Sequence, residues 1–86
     1  MDLVMKYEIH VVVGHRLLTK YVTLEGIPLI GDEITVWKHK RNTGVNYAVT
    51  LNVNSRNWDT RNGMLTLNCA SESDLDEAFL KKIGFK

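Results

Sequence analysis

The chain contains one cysteine and one proline in 86 residues. A single thiol excludes an intrachain disulfide and any thiolate-rich zinc site, and it suits a reducing compartment. A dominant charge is missing too: 11 Lys and Arg stand against 10 Asp and Glu, a formal charge of +1. That excludes a strongly basic nucleic-acid domain of the histone or arginine-rich kind, while leaving room for a local basic patch. No apolar run approaches the ~20 residues of a membrane span. The opening MDLVMKYEIHVVV has an acid at position 2 and is broken by Lys6, Glu8 and His10. A secretory signal needs a positive start and ~7–15 apolar residues in a row, so none is expected. Cytoplasm is the expected compartment, with no membrane partner. Glycine-rich phosphate loops, solenoid-length repeats and low-complexity segments are also missing.

What is present is ordinary for a folded protein. Hydrophobic residues make up 44% and charged residues 24%, unlike a collagen, a disordered tail or a coiled coil. The length suits one domain over residues 1–86 and no second core. Met5, Tyr7, Ile9, Val11 and Val13 alternate with Lys6, Glu8 and His10, the period of a half-buried strand. Gly14-His15 suits a two-residue hairpin turn with a positive φ at its first position. Pairing Val13 with Arg16 sets Val11 opposite Leu18, Tyr7 opposite Val22 and Met5 opposite Leu24. Apolar then meets apolar at those last three pairs, whereas Ile9 meets Lys20.

Residues 25–32 (EGIPLIGD) read as a loop. A third strand is expected at 33–40, with Ile34 and Val36 inward, then a turn at 41–44. The fourth strand, 45–53, has Val45, Tyr47, Val49, Leu51 and Val53 on one face. Pairing Lys40 with Val45 sets Val36 opposite Val49 and Ile34 opposite Leu51, so the apolar faces match. Residues 54–63 read as a polar loop holding Trp58. Residues 64–70 form a fifth strand with Leu65, Leu67 and Cys69 inward. A short C-terminal helix follows at about 72–83. Ser71 or Ser73 would cap it, acids crowd its first turns, Lys81 and Lys82 sit in its last, and Gly84 ends it. Its apolar face is Leu75, Phe79, Leu80 and Ile83. About three turns are not stable alone, so the helix must dock on the sheet. The fold class is therefore α+β: a five-stranded antiparallel barrel-like sheet, SH3-like or OB-like, with one C-terminal helix.

Residues 28–34 (PLIGDEI) read P-x-x-G-D-x-I, and Tyr47-Ala48-Val49 supplies a later Y-x-V. This resembles a pattern in small, largely uncharacterised bacterial and phage β-barrel proteins. The resemblance spans residues 24–53 and implies a small barrel, with no activity attached. Pro28 would stiffen the approach, Gly31 allow a tight bend, and Asp32 accept backbone amides where the strand begins.

Little points to catalysis. His10, His15 and His39 lack metal-ligand spacing; His10 and His39 would meet only if the first and third strands were neighbours. Cys69 faces inward, and no serine lies in a nucleophile motif. No enzyme activity, cofactor or metal is expected. Two surfaces stand out instead. One is an outward face of neutral hydrogen-bonding residues with a tryptophan: Trp37, His39, Asn46, Thr50, Asn52, Thr66 and Asn68, with Thr35 and Met64 beside them. It suits contact with a protein, including a second copy in a homodimer. The other is a basic set, Trp37, Lys38, Lys40, Arg41, Arg56 and Arg61, which offers charge for a single-stranded nucleic-acid backbone and an aromatic for stacking a base. The first, a small non-enzymatic protein-binding or accessory module, is the leading reading.

Overall fold

The computed structural model describes residues 4–71 and 74–86. Five strands, β1 (Val4–Val13), β2 (Arg16–Glu25), β3 (Glu33–Lys40), β4 (Val45–Asp59) and β5 (Met64–Ala70), precede one helix, α1 (Glu77–Ile83). They form a single sheet in the order β2-β1-β5-β4-β3, curled into a half-barrel. Both hairpins take the register that matched apolar faces demand. Val13 faces Arg16, Val11 faces Leu18 and Tyr7 faces Val22, while Lys40 faces Val45 and Ile34 faces Leu51. The expected mismatch, Ile9 opposite Lys20, is present as well.

One pairing departs from an all-antiparallel sheet. β5 lies parallel to β1, with Tyr7 opposite Leu65 and Val11 opposite Cys69, which makes the sheet mixed. A parallel neighbour needs a long connection, and the chain from β1 to β5 supplies it through three intervening strands. His10 and His39 consequently lie on strands that are not neighbours.

β4 is longer than its alternation suggests, at 15 residues, because the run 54–59 is strand and not loop. The register shifts between Val53 and Ser55. Asn54 is the extra residue of a β-bulge, which bends a strand and flips its alternation. Val53 faces Cys69, whereas beyond the bulge it is Arg56 and Trp58 that face Leu67 and Leu65. The first half of β4 therefore pairs with β3 and the second half with β5.

The core joins Tyr7, Ile9, Val11, Leu18, Ile34, Val36, Val49, Leu51, Val53, Leu65, Leu67 and Cys69 from the sheet with Leu80, Ile83 and Phe85 from the C-terminal segment. The helix is shorter than expected. It starts at Glu77, with the Asp76 carboxylate accepting the Ala78 amide (3.0 Å) as its N-cap. Several Ser and Asp residues in a row all suit a cap, and the one used sets which face Leu80 and Ile83 present. The expected start at 72–73, with Ser73, lies outside the described residues. Gly84, at φ +116°, closes the helix, and the Phe85 amide donates back to the Leu80 carbonyl (3.0 Å). Lys86 then pairs with the edge of β2: the Thr19 amide donates to the Lys86 carbonyl and the Lys86 amide to the Thr19 carbonyl, both at 2.9 Å. Burying Leu80, Ile83 and Phe85 stabilises the docked segment by roughly 1.5–3 kcal/mol per side chain.

Candidate functional site

The loop between β2 and β3 is set by the residues of the P-x-x-G-D segment. The Asp32 carboxylate accepts the Leu29 amide at 2.8 Å, and the Asp32 amide donates to the Leu29 carbonyl at 3.0 Å. Gly31 sits at φ +97°, which an L side chain adopts only with strain. Its amide donates to the Val53 carbonyl (2.8 Å) while the Val53 amide donates to the Asp32 carbonyl (2.9 Å). This is a glycine bulge that launches β3 along β4. The Tyr7 hydroxyl, from the core, donates to the Gly26 carbonyl and anchors the other end of the loop. Burial raises the Tyr7 pKa.

The loop carries β3 around toward β2 without the two strands joining. They are the two ends of the sheet order. Between them lie two open clefts. One, of about 440 Å³, is bounded by residues 24–28 and 32–35. The other, of about 250 Å³, is bounded by residues 20–24 and 34–37. Main-chain alternation tells which groups face this seam. Thr19 uses its amide and carbonyl toward the edge, so Tyr21, Thr23 and Glu25 do the same by period two. Just before β3, the Asp32 carbonyl accepts the Val53 amide, and by period two the even-numbered residues of β3 face β4. The amides and carbonyls of Glu33, Thr35, Trp37 and His39 therefore face the seam. Among the described residues, only Lys86 supplies either edge with a main-chain partner.

The neutral face is divided. Trp37, His39, Asn46 and Thr50 come together on the β3–β4 hairpin, on the side turned away from the core. Thr35 and Thr50 hydroxyls bond at 2.9 Å, and His39 Nδ1 meets Asn46 Oδ1 at 2.6 Å. Trp37 lies opposite Ala48, too small to cover it, and is 65% exposed. Asn52 is half-buried at the junction, opposite Glu33 and Ala70. Asn68 is on the far side of the bulge, its amide donating to Ser55 Oγ at 2.9 Å. Thr66 is only 5% exposed and offers nothing to a partner. Met64 beside it is half-buried.

The basic set is not brought together. Period two puts Trp37 and His39 on one face of β3 and Lys38 and Lys40 on the other. Lys40 Nζ stands 5.5 Å over the Tyr47 ring, and Arg41 is exposed in the turn beyond. Arg56 lies in the second half of β4 and Arg61 in the turn that follows it. Arg56 donates to the Pro28 carbonyl at 3.2 Å. Arg61 is engaged by the Asp59 carboxylate, Nη2 to Oδ2 at 2.6 Å and Nε to both oxygens at 3.1 Å. Hydrogen bonds from the Arg61 side chain, and then from its backbone amide, hold the Asp59 pKa down at about 2.

One apolar feature escaped the sequence pattern. Ile27, Ile30, Arg56, Trp58 and Leu65 line a cleft of about 280 Å³. Ile27, Leu29, Ile30 and Trp58 are all exposed, Trp58 at 58%. Three aliphatic residues inside a loop were the available signal, and Trp58 joins them because of the bulge.

Cys69 is buried, and desolvation pushes its thiol pKa up to about 11, which disfavours the thiolate at neutral pH. Among the described residues no three His, Cys, Asp or Glu side chains gather as metal ligands. Among them, too, no helix is long and apolar enough to cross a membrane. No protein family, curated protein or solved structure matches the chain.

Proposed function

We propose that the chain is a non-enzymatic protein-binding module whose partners include a second copy of itself. The observation that carries the reading is the open seam, flanked by two strand edges with unpaired main-chain groups. Such edges are templates for another strand, and proteins that do not use them cover or charge them. Here, among the described residues, Lys86 covers β2 at Thr19 alone, and the charges of β3 stand at its two ends, leaving Ile34 to Trp37 uncharged. Exposed Trp37 beside the seam, and Trp58 with Ile27, Leu29 and Ile30 beyond it, add the large apolar contacts that dominate protein interfaces. The buried Cys69 thiol and the scattered histidines support a role in binding over one in catalysis.

Single-stranded nucleic acid is the weaker reading. It needs tryptophan and free cations on one surface, while Trp37 and Lys40 lie on opposite faces and Arg61 is engaged by Asp59. Sedimentation velocity over a wide concentration range tests the first reading: the sedimentation coefficient should rise with concentration. A strict monomer throughout would remove self-association. A labelled oligonucleotide should show no anisotropy change at low salt, and a clear change that falls with salt would favour the alternative.

A further inference from the structure

Along β3 the charges are sorted. Asp32 just precedes it and Glu33 opens it, Lys38, His39 and Lys40 stand at its end, and Ile34 to Trp37 between them carry no charge. Parallel pairing of two such strands would set like charges together. Antiparallel pairing about a two-fold axis sets opposite charges together at both ends, and like charges directly opposite are what such pairing must avoid.

We propose that two copies of the chain pair through their β3 edges, antiparallel, with Val36 opposite Val36 of the second copy. The proposal rests on the reading that a second copy is among the partners, and it names the surface and the register. Residues whose main-chain groups face the seam, Glu33, Thr35, Trp37 and His39, must meet residues of the same kind, which leaves registers two residues apart. In the Val36-centred register, Asp32 lies opposite Lys40 of the second copy and Glu33 opposite His39, each pairing occurring twice. Thr35 lies opposite Trp37, an aromatic–β-branched pair of the kind that stabilises antiparallel strands. Moving the register by one step in either direction leaves only one kind of opposite-charge pair, Asp32–Lys38 or Glu33–Arg41. β2 and β3 are the two ends of the sheet order and do not pair with each other, and a cleft of about 250 Å³ lies between residues 20–24 and 34–37. On β2 the own C-terminal Lys86 takes the Thr19 rung, which makes β3 the freer edge.

Cysteine cross-linking reads the register. In the proposed pairing Thr35 and Trp37 of opposite copies form a hydrogen-bonded pair with Cα atoms about 5.5 Å apart, inside the disulfide range. Thr35 and its own counterpart are two residues out of step, on the order of 8–9 Å, beyond bridging. An equal mixture of Thr35→Cys and Trp37→Cys chains should therefore give a disulfide-linked dimer under mild oxidation, and either variant alone should give little. His39→Glu places a carboxylate opposite Glu33 twice and should weaken the dimer about tenfold. Adding Glu33→Lys in the same chain should restore it. Both positions are exposed, so circular dichroism should show the fold unchanged. If the native chain is a strict monomer, self-association and this proposal fall together. If it dimerises but Thr35→Cys alone or Trp37→Cys alone links as well as the mixture, or His39→Glu leaves the dimer constant unchanged, self-association stands and the β3 register is wrong.

Discussion

Phe85→Ala should cost this domain a large share of its stability, although Phe85 is the penultimate residue. Chain ends usually fray, and a substitution there usually does little. Here the end is held in three ways. Gly84 reverses the chain at φ +116°, the Phe85 amide bonds the Leu80 carbonyl, and Lys86 makes two main-chain bonds to Thr19. The Phe85 ring is 2% exposed, in the core with Leu80 and Ile83. Truncating a buried Phe to Ala costs about 3–5 kcal/mol, because the cavity left behind adds to the lost transfer free energy. Natural domains are stable by only ~5–15 kcal/mol, so the loss is at least a fifth of the total. At ~4–8 °C per kcal/mol for a domain of this size, the thermal midpoint should fall by at least about 12 °C. Thermal and urea unfolding followed by circular dichroism measure both quantities. Leu29→Ala, at an exposed apolar position, is the control and should stay within ~0.5 kcal/mol. A loss below about 1 kcal/mol for Phe85→Ala would refute the docked C-terminal segment.

Three further outcomes follow from named groups. Asp32→Ala removes the acceptor for the Leu29 amide and should cost about 0.5–1.5 kcal/mol in urea unfolding. Asp32→Asn, which keeps a side-chain oxygen, should recover most of that. The Asp59 carboxyl should titrate at about 2 by carbon-detected NMR. A depressed pKa stabilises the fold above the unfolded value of ~3.9 and loses that effect as pH falls through the folded value. Arg61→Ala should return the midpoint to the ordinary range; an ordinary midpoint in the native chain would show that the pair does not form. The Cys69 thiol, raised to about 11, should be inert to thiol reagents at neutral pH until the chain is unfolded. Its raised pKa leaves stability intact below the free-thiol value of ~8.5 and erodes it as pH climbs toward the folded value. Rapid labelling of the native protein would contradict the burial.

Where pairing is local, the register was legible in the residues. Val11 opposite Leu18 and Val36 opposite Val49 follow from period two and short turns, because a one-residue slip would turn each apolar face outward. The β1–β5 pairing was not legible, since nothing near Tyr7 points to Leu65 as its neighbour. Asn54 hid the second half of β4: one extra residue reverses the alternation, so Arg56 and Trp58 read as loop when scanned in step with Val53. The neutral Thr and Asn residues were visible as a face. Their bonds to one another, Thr35 to Thr50 and His39 to Asn46, depend on side-chain geometry that spacing does not carry. The seam was likewise out of reach, because it depends on how far the whole sheet curls.

Amide hydrogen exchange along β3, measured by NMR at low and high protein concentration, tests the central claim most directly. At low concentration the amides of Glu33, Thr35, Trp37 and His39 should exchange quickly, because they face the open seam, while those of Ile34, Val36 and Lys38 should be slow in the ladder with β4. As concentration rises, the odd-numbered amides should gain protection together and the even-numbered ones should change little. Odd-numbered amides that are already slow at low concentration, or that stay fast where sedimentation shows a dimer, would contradict the open, strand-pairing edge.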